Sequence, residues 1–211
     1  MNGPEDTGRI ARQLRFVVEI DRLKTVLRQT LLTDASRQEN SAEHSWHLAL
    51  MAALLAEHAG EPVDVARTMK MVLVHDLVEI DAGDAFCYDA AANVGKEERE
   101  RLAAERVFGL LPAGQAEELR SLWEEFEEGT TPEARFAVAL DRLQPLLQNL
   151  HSGGGSWRAH GIAREQVLRR MDPIRVGAPA LWPVVLEVVE QAVAAGHLRA
   201  AEGLDGAARS R

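Results

Sequence analysis

Apolar residues recur along this chain at intervals of three and four, the period of an amphipathic helix, from about residue 10 to about residue 195. The spacing predicts a first helix over 10–32, with Phe16, Ile20, Leu23 and Leu27 on one stripe. Thr33 to Asn40 is a polar loop. Ser41 then serves as the N-cap of a helix over 42–59, which Gly60 and Pro62 end. A third helix covers 63–80 and stops before a turn at Gly83, and 84–95 has the size of an active-site loop. Charged helices follow over 96–109 and 113–127, separated by Pro112 and Gly114. Thr131-Pro132-Glu133 has the order of a cap and a first-turn proline. It opens a helix buried along Phe136, Leu140, Leu143, Leu147 and Leu150. Pro145 cannot donate to the Asp141 carbonyl, which predicts a kink. Ser152–Ser156 lacks the strand-loop-helix setting of a phosphate-binding motif and reads as a mobile lid. Shorter helices lead to a last one over 178–195, and the small, polar tail from Ala200 frays. No segment alternates with the period of a strand. The fold class is all-α.

One stretch breaks the regularity. His75 and Asp76 interrupt an apolar run, Met71-Val-Leu-Val-His-Asp-Leu-Val-Glu-Ile80. A helix apolar on nearly every side is a buried helix, and an ionised Asp there is costly unless something compensates it. A divalent metal is an economical compensation, and His with carboxylate is a ligand set for such an ion. His44, in the first turn of its helix, and Asp141, from a distant helix, can complete the site. Glu79 follows Asp76 by three residues and shares its face. Glu79 or Asp84 can then orient a water or pass a proton. These are the parts of a metal-assisted hydrolase.

The whole-chain numbers narrow the setting. With 211 residues the chain can form one domain with a sizeable core. The core falls at about 10–150, with a C-terminal helical extension over 157–198. A net charge of −9 argues against a nucleic-acid footprint or an anionic membrane surface. Cys87, the single cysteine, excludes an internal disulfide framework and fits a reducing cytoplasm. The polar N-terminus has no signal-peptide core, and no apolar run reaches the ~20 residues of a membrane span.

The order His44, His75-Asp76, Asp141 resembles the HD superfamily of metal-dependent phosphohydrolases. Arg37-Gln-Glu-Asn-Ser-Ala-Glu-His-Ser45 and His75-Asp-Leu-Val-Glu-Ile-Asp-Ala-Gly-Asp84 are similar to its 5′-deoxynucleotidase branch, over roughly residues 12–150. The resemblance implies a compact all-helical domain, a homodimer, and one divalent transition metal (Co, Mn, Fe, Ni or Zn) on His44, His75, Asp76 and Asp141. It implies Glu79 as the acid/base or water-orienting group and Asp84 as a contact to substrate or water. Arg28 would meet the substrate phosphate, with Arg37 as a second candidate or, alternatively, a salt-bridge partner of Glu39 or Glu43. The implied activity is removal of the 5′-phosphate from (deoxy)nucleoside monophosphates. Two-metal relatives place extra histidines between the HD pair and the final Asp; none stands between His75 and His151 here, which favours one metal. Gln29 replaces an aromatic residue that follows the matching arginine in the branch, so base and sugar preference do not transfer. Other phosphoesters (a cyclic nucleotide, an alarmone, a metabolic phosphate) remain alternatives, as does a regulatory domain that keeps a metal without catalysis.

Other residues have plainer roles. His47 reads as a packed core histidine, and His58, His160 and His197 as surface residues. Cys87 reads as a small packed residue. Trp157 is either a stacking surface or a packed aromatic.

Overall fold

The computed structural model describes residues 4–89 and 94–200. Its order is α1 (Pro4–Ile20), a 3-10 turn (Asp21–Thr25), β1 (Leu27–Leu31), β2 (Gln38–Asn40), α2 (Ser41–Leu55), α3 (Val65–Val74), α4 (Glu79–Ala82), α5 (Lys96–Phe108), α6 (Ala113–Glu128), α7 (Pro132–His151), α8 (Gly155–Ala159), α9 (Arg164–Met171), α10 (Ile174–Gly177) and α11 (Trp182–Ala194). The class is all-α, with one small antiparallel hairpin.

That hairpin corrects the expected first helix over 10–32 and the absence of strands. The helix ends at Ile20, and Thr25 returns its hydroxyl to the Arg22 carbonyl at 2.7 Å. β1 then alternates, with Thr30 buried and Arg28 half-buried on one face, while Leu27 is 53% exposed. The apolar stripe through Leu27 therefore loses to the requirement that Arg28 reach buried acids. A helical turn there would have carried Leu27 inward.

Three further boundaries differ from expectation. Asn40, not Ser41, caps α2: its side chain accepts from Glu43 N at 2.9 Å, and the Glu43 carboxylate accepts from Asn40 N at 3.3 Å. The helix over 63–80 is broken after Val74, and the HD pair occupies the turn before α4. Met71 and Val72 belong to one apolar cluster, Val74, Leu77, Val78 and Ile80 to another. The pair thus lies where the chain passes from one core to the other. Ser152–Ser156 is a packed corner rather than a lid: Gly153 and Gly154 take φ of 68° and 86°, and Ser156 donates to Asn149 Oδ1 at 2.9 Å.

α7 is the central strut. It runs unbroken through Pro145, with Phe136 and Leu140 fully buried and Leu147 and Leu150 half-buried. Residues of α2, α3, α7, α9, α10 and α11 share one apolar cluster, so the C-terminal helices pack into the same core as α2, α3 and α7. Gly177 makes that packing possible, since a Cβ there would lie 2.1 Å from the Arg135 carbonyl oxygen. The expected loop 84–95 is described over 84–89 and 94–95; residues 90–93, and the expected frayed tail over 201–211, lie outside the described residues.

Candidate metal and phosphate site

α2, the α3–α4 turn and α7 bring His44, His75 and Asp141 together, with one ligand atom of each within 4.8 Å of the others. All three are buried. Asp141 Oδ1 lies 2.9 Å from His44 Nε2 and 3.8 Å from His75 Nε2. Asp76 is adjacent, its Oδ1 3.0 Å from His75 Nε2 and its Oδ2 accepting from Arg28 at 2.9 Å.

The outer nitrogens of the two imidazoles are committed. His75 Nδ1 donates to the Val72 carbonyl at 2.8 Å. Gln144 donates from its amide nitrogen to Glu39 at 2.7 Å and faces His47 Nδ1 with the same nitrogen at 3.3 Å, which leaves its Oε1 to accept from His44 Nδ1 at 3.0 Å. In its neutral form each ring therefore turns an Nε2 lone pair inward. His75 Nε2 is buried without a hydrogen-bond partner. His44 Nε2 and Asp141 Oδ1, both acceptors, face each other at 2.9 Å. Acceptors converge so closely only with a proton or a metal ion between them, and imidazoles held through their other nitrogen are the usual form of metal-ligating His. The residues fit a divalent ion.

The site is rich in carboxylates. Glu39, Asp76, Glu79, Asp84 and Asp141 surround Arg28, whose Nη1 lies 4.0 Å from Asp84, Nη2 4.0 Å from Asp141 and Nε 3.7 Å from Glu39. Burial disfavours the charge on Arg28, yet Asp76, Glu79, Asp141 and Asp84 outweigh it and keep the guanidinium protonated. Burial likewise opposes a charge on His75, but Asp76 and Asp141 raise its pKa to about 10: the carboxylates favour a positive charge at this point, either a proton on Nε2 or a metal ion that would displace it. At Asp141 burial acts upward, and Arg142 with the two imidazoles holds the carboxyl well below the usual range. Glu79 differs. Burial first, then Asp76, pushes it up to about 8, and its Oε2 accepts from Ser41 at 2.7 Å. Asp84 is also raised, chiefly by burial.

These groups open on a cavity of about 370 Å³, lined among others by Arg28, Gln29, Asp84, Phe86, Lys96 and Trp157. Arg37 is not among the lining residues; it is exposed and grips the Glu43 carboxylate at 2.9 and 2.6 Å. Cys87 is exposed rather than packed and borders the cavity. Trp157 is 2% exposed and belongs to the core while also facing the cavity. His47, expected in the core, is half-buried, as are His58 and His197, expected at the surface; His160 is exposed and stacks on Phe86 at 4.3 Å.

Comparison with known proteins now decides the family. A model of the HD domain matches residues 20–182. This chain belongs to the HD domain family. The HD chain is 32% identical over 136 residues to 5′-deoxynucleotidase HDDC2 of Danio rerio, a match spanning 64% of this chain and 66% of that one. The human 5′-deoxynucleotidase HDDC2 is 31% identical over 144 residues, 67% of this chain and 69% of that one. A crystal structure of a predicted metal-dependent phosphohydrolase from Magnetospirillum magnetotacticum MS-1 is 54% identical, covers 94% of this HD chain and 99% of its own, and has a TM-score of 0.89.

Several site residues were not legible as such. Glu39 entered only as a possible partner of Arg37, whereas it is 2% exposed and accepts from both Gln144 and Gln148 at 2.7 Å. Gln144 and Gln148 follow Asp141 by three and seven residues, on its own face of α7. That spacing was the available signal.

Proposed function

We propose that this HD protein is a metal-dependent phosphomonoesterase that removes the 5′-phosphate from (deoxy)nucleoside monophosphates. The observation that carries the reading is the convergence of Asp141 Oδ1 on two inward imidazole nitrogens whose outer nitrogens are fixed. In the proposal His44, His75, Asp76 and Asp141 hold one divalent transition metal. When bound, the ion supplies Lewis acidity and makes water a usable nucleophile near neutral pH. Arg28 faces the phosphate, with a guanidinium suited to phosphoryl oxygens and kept charged by its acids. Glu79, protonated near neutrality, is placed to give a proton to the leaving oxygen, and Ser41 fixes its orientation. Asp84, 4.0 Å from Arg28 Nη1, contacts substrate or orients water. Arg37 has no part in this reading, because Glu43 occupies its guanidinium.

The proposed assembly is a homodimer in the cytoplasm: exposed Leu14, Val17 and Val18 on α1 support the first, and the single, unpaired Cys87 the second. Among the described residues no helix is long and apolar enough to cross a membrane. The test is metal analysis of the purified protein, then phosphate release from nucleoside monophosphates with each candidate metal. His75→Ala and Asp141→Ala are expected to lose metal and turnover together. Glu79→Gln should retain metal and lose roughly 100-fold or more in kcat. Full turnover by metal-stripped Asp141→Ala protein would sink the proposal.

A further inference from the structure

Besides Arg28, three basic side chains line the cavity: Lys96, Arg142 and Arg170. Arg28 is matched by Asp76 at 2.9 Å, and Lys96 by Glu100 at 3.3 Å. Arg142, from α7, uses one nitrogen to bond Asp141 Oδ2. Asp141 Oδ1 faces the imidazoles, so Arg142 stands on the far side of that carboxylate from His44 and His75. Its Nε is buried without a partner. Arg170, from α9, lines the same cavity, is half-buried, and has no ion pair or hydrogen bond among the described residues. Both arginines line one cavity, presented by helices α7 and α9 that pack into the same apolar cluster. Cys87, from the 84–89 segment, lines the same cavity. Like charges across a low-dielectric cavity are costly unless an anion lies between them. Tyr88, Asn149 and Trp157 line the space beside them.

We propose that Arg142 and Arg170 form a subsite for a second anionic group, so that the enzyme prefers phosphomonoesters bearing a further phosphate or carboxylate. The subsite deepens the phosphohydrolase reading and rests on it. Paired guanidinium groups recognise either anion through charge-assisted hydrogen bonds.

The test uses the full, metal-loaded chain. Ratios of kcat/KM are measured for adenosine 3′,5′-bisphosphate over adenosine 5′-monophosphate, and for 6-phosphogluconate over glucose 6-phosphate. The wild type is expected to prefer the doubly anionic member of at least one pair by about tenfold, the size of one charge-assisted hydrogen bond. The pair that shows it separates phosphate from carboxylate. Arg170→Gln should erase that preference, and Arg170→Lys should keep most of it. A wild type without preference, or one undiminished in Arg170→Gln, overturns the subsite. An equal loss on both members of a pair assigns Arg170 to the phosphate being hydrolysed and overturns it too. Calorimetric binding of adenosine 3′,5′-bisphosphate and adenosine 5′-monophosphate to the same proteins gives the answer without turnover. If no phosphomonoester is hydrolysed, the proposed function fails, while a binding preference lost in Arg170→Gln still supports the subsite.

Discussion

His44 illustrates how far a side chain's chemistry depends on what stands behind it. Its Nδ1 is fixed by Gln144, and Gln144 is fixed by Glu39. Removing the amide frees the ring to change tautomer and orientation. Gln144→Ala is therefore expected to weaken metal affinity by roughly 10–100-fold, the usual effect of losing such an outer partner. A competition titration against a metal chelator measures it, and an affinity equal to wild type would remove Gln144 from the site. The same residues show what a sequence discloses. His44, His75 and Asp141 stand out because a titratable group in apolar surroundings needs a reason. Gln144 and Gln148 do not, because an amide on a helix is ordinary, and only their shared face with Asp141 marks them. Glu39 was hidden more deeply, since its burial depends on a hairpin that no periodicity announced.

Elements are governed by competition between local pattern and distant partners. The stripe Phe16, Ile20, Leu23, Leu27 is a good helical signal, yet the chain leaves the helix before it ends, because β1 delivers Arg28 to buried carboxylates. α6 and α7, by contrast, start within a residue of where cap and proline placed them. Their termini are set by neighbours in sequence, which is why they were readable. Contacts between elements can also be tested. Arg67 of α3 bonds Glu125 of α6, and Thr131, the cap of α7, donates to the same carboxylate at 2.6 Å. Burial would raise the Glu125 pKa, but Arg67 and Thr131 outweigh it and lower it below 4.5. A depressed folded-state pKa stabilises above the unfolded value and ceases to do so as pH falls through the folded one. Glu125→Gln should thus be less stable than wild type at neutral pH, and the gap should close as pH falls below 4.5. Urea midpoints at a series of pH values report it; a gap independent of pH would refute the assignment.

At the scale of the molecule, the C-terminal helices are proposed to be part of one cooperative unit with the helices that hold the site. Val167, Ile174, Val185 and Val189 lie in the cluster that contains Leu48, Met71 and Leu140, and each is fully buried. Calorimetry should then show a single unfolding transition. Gly177→Ala, which would force a Cβ to 2.1 Å from the Arg135 oxygen, should move that whole transition down. Overpacking of about 2 kcal/mol corresponds to roughly 6 °C for a chain of this size. A second transition, with the first unmoved, would mean that the C-terminal third folds apart.

The hairpin has a consequence for how the chain can vary. Leu27 pairs with Asn40 and Leu31 with Gln38, and this register puts Arg28 and Glu39 inside. Because side chains alternate along a strand, a slip of one residue turns both outward at once. The connection between the strands is then free to change in length or composition, whereas a one-residue deletion within 27–31 is expected to disconnect Arg28, the proposed phosphate contact, and the Glu39 support of His44 together. Such a chain would keep its helical core while the proposed site came apart.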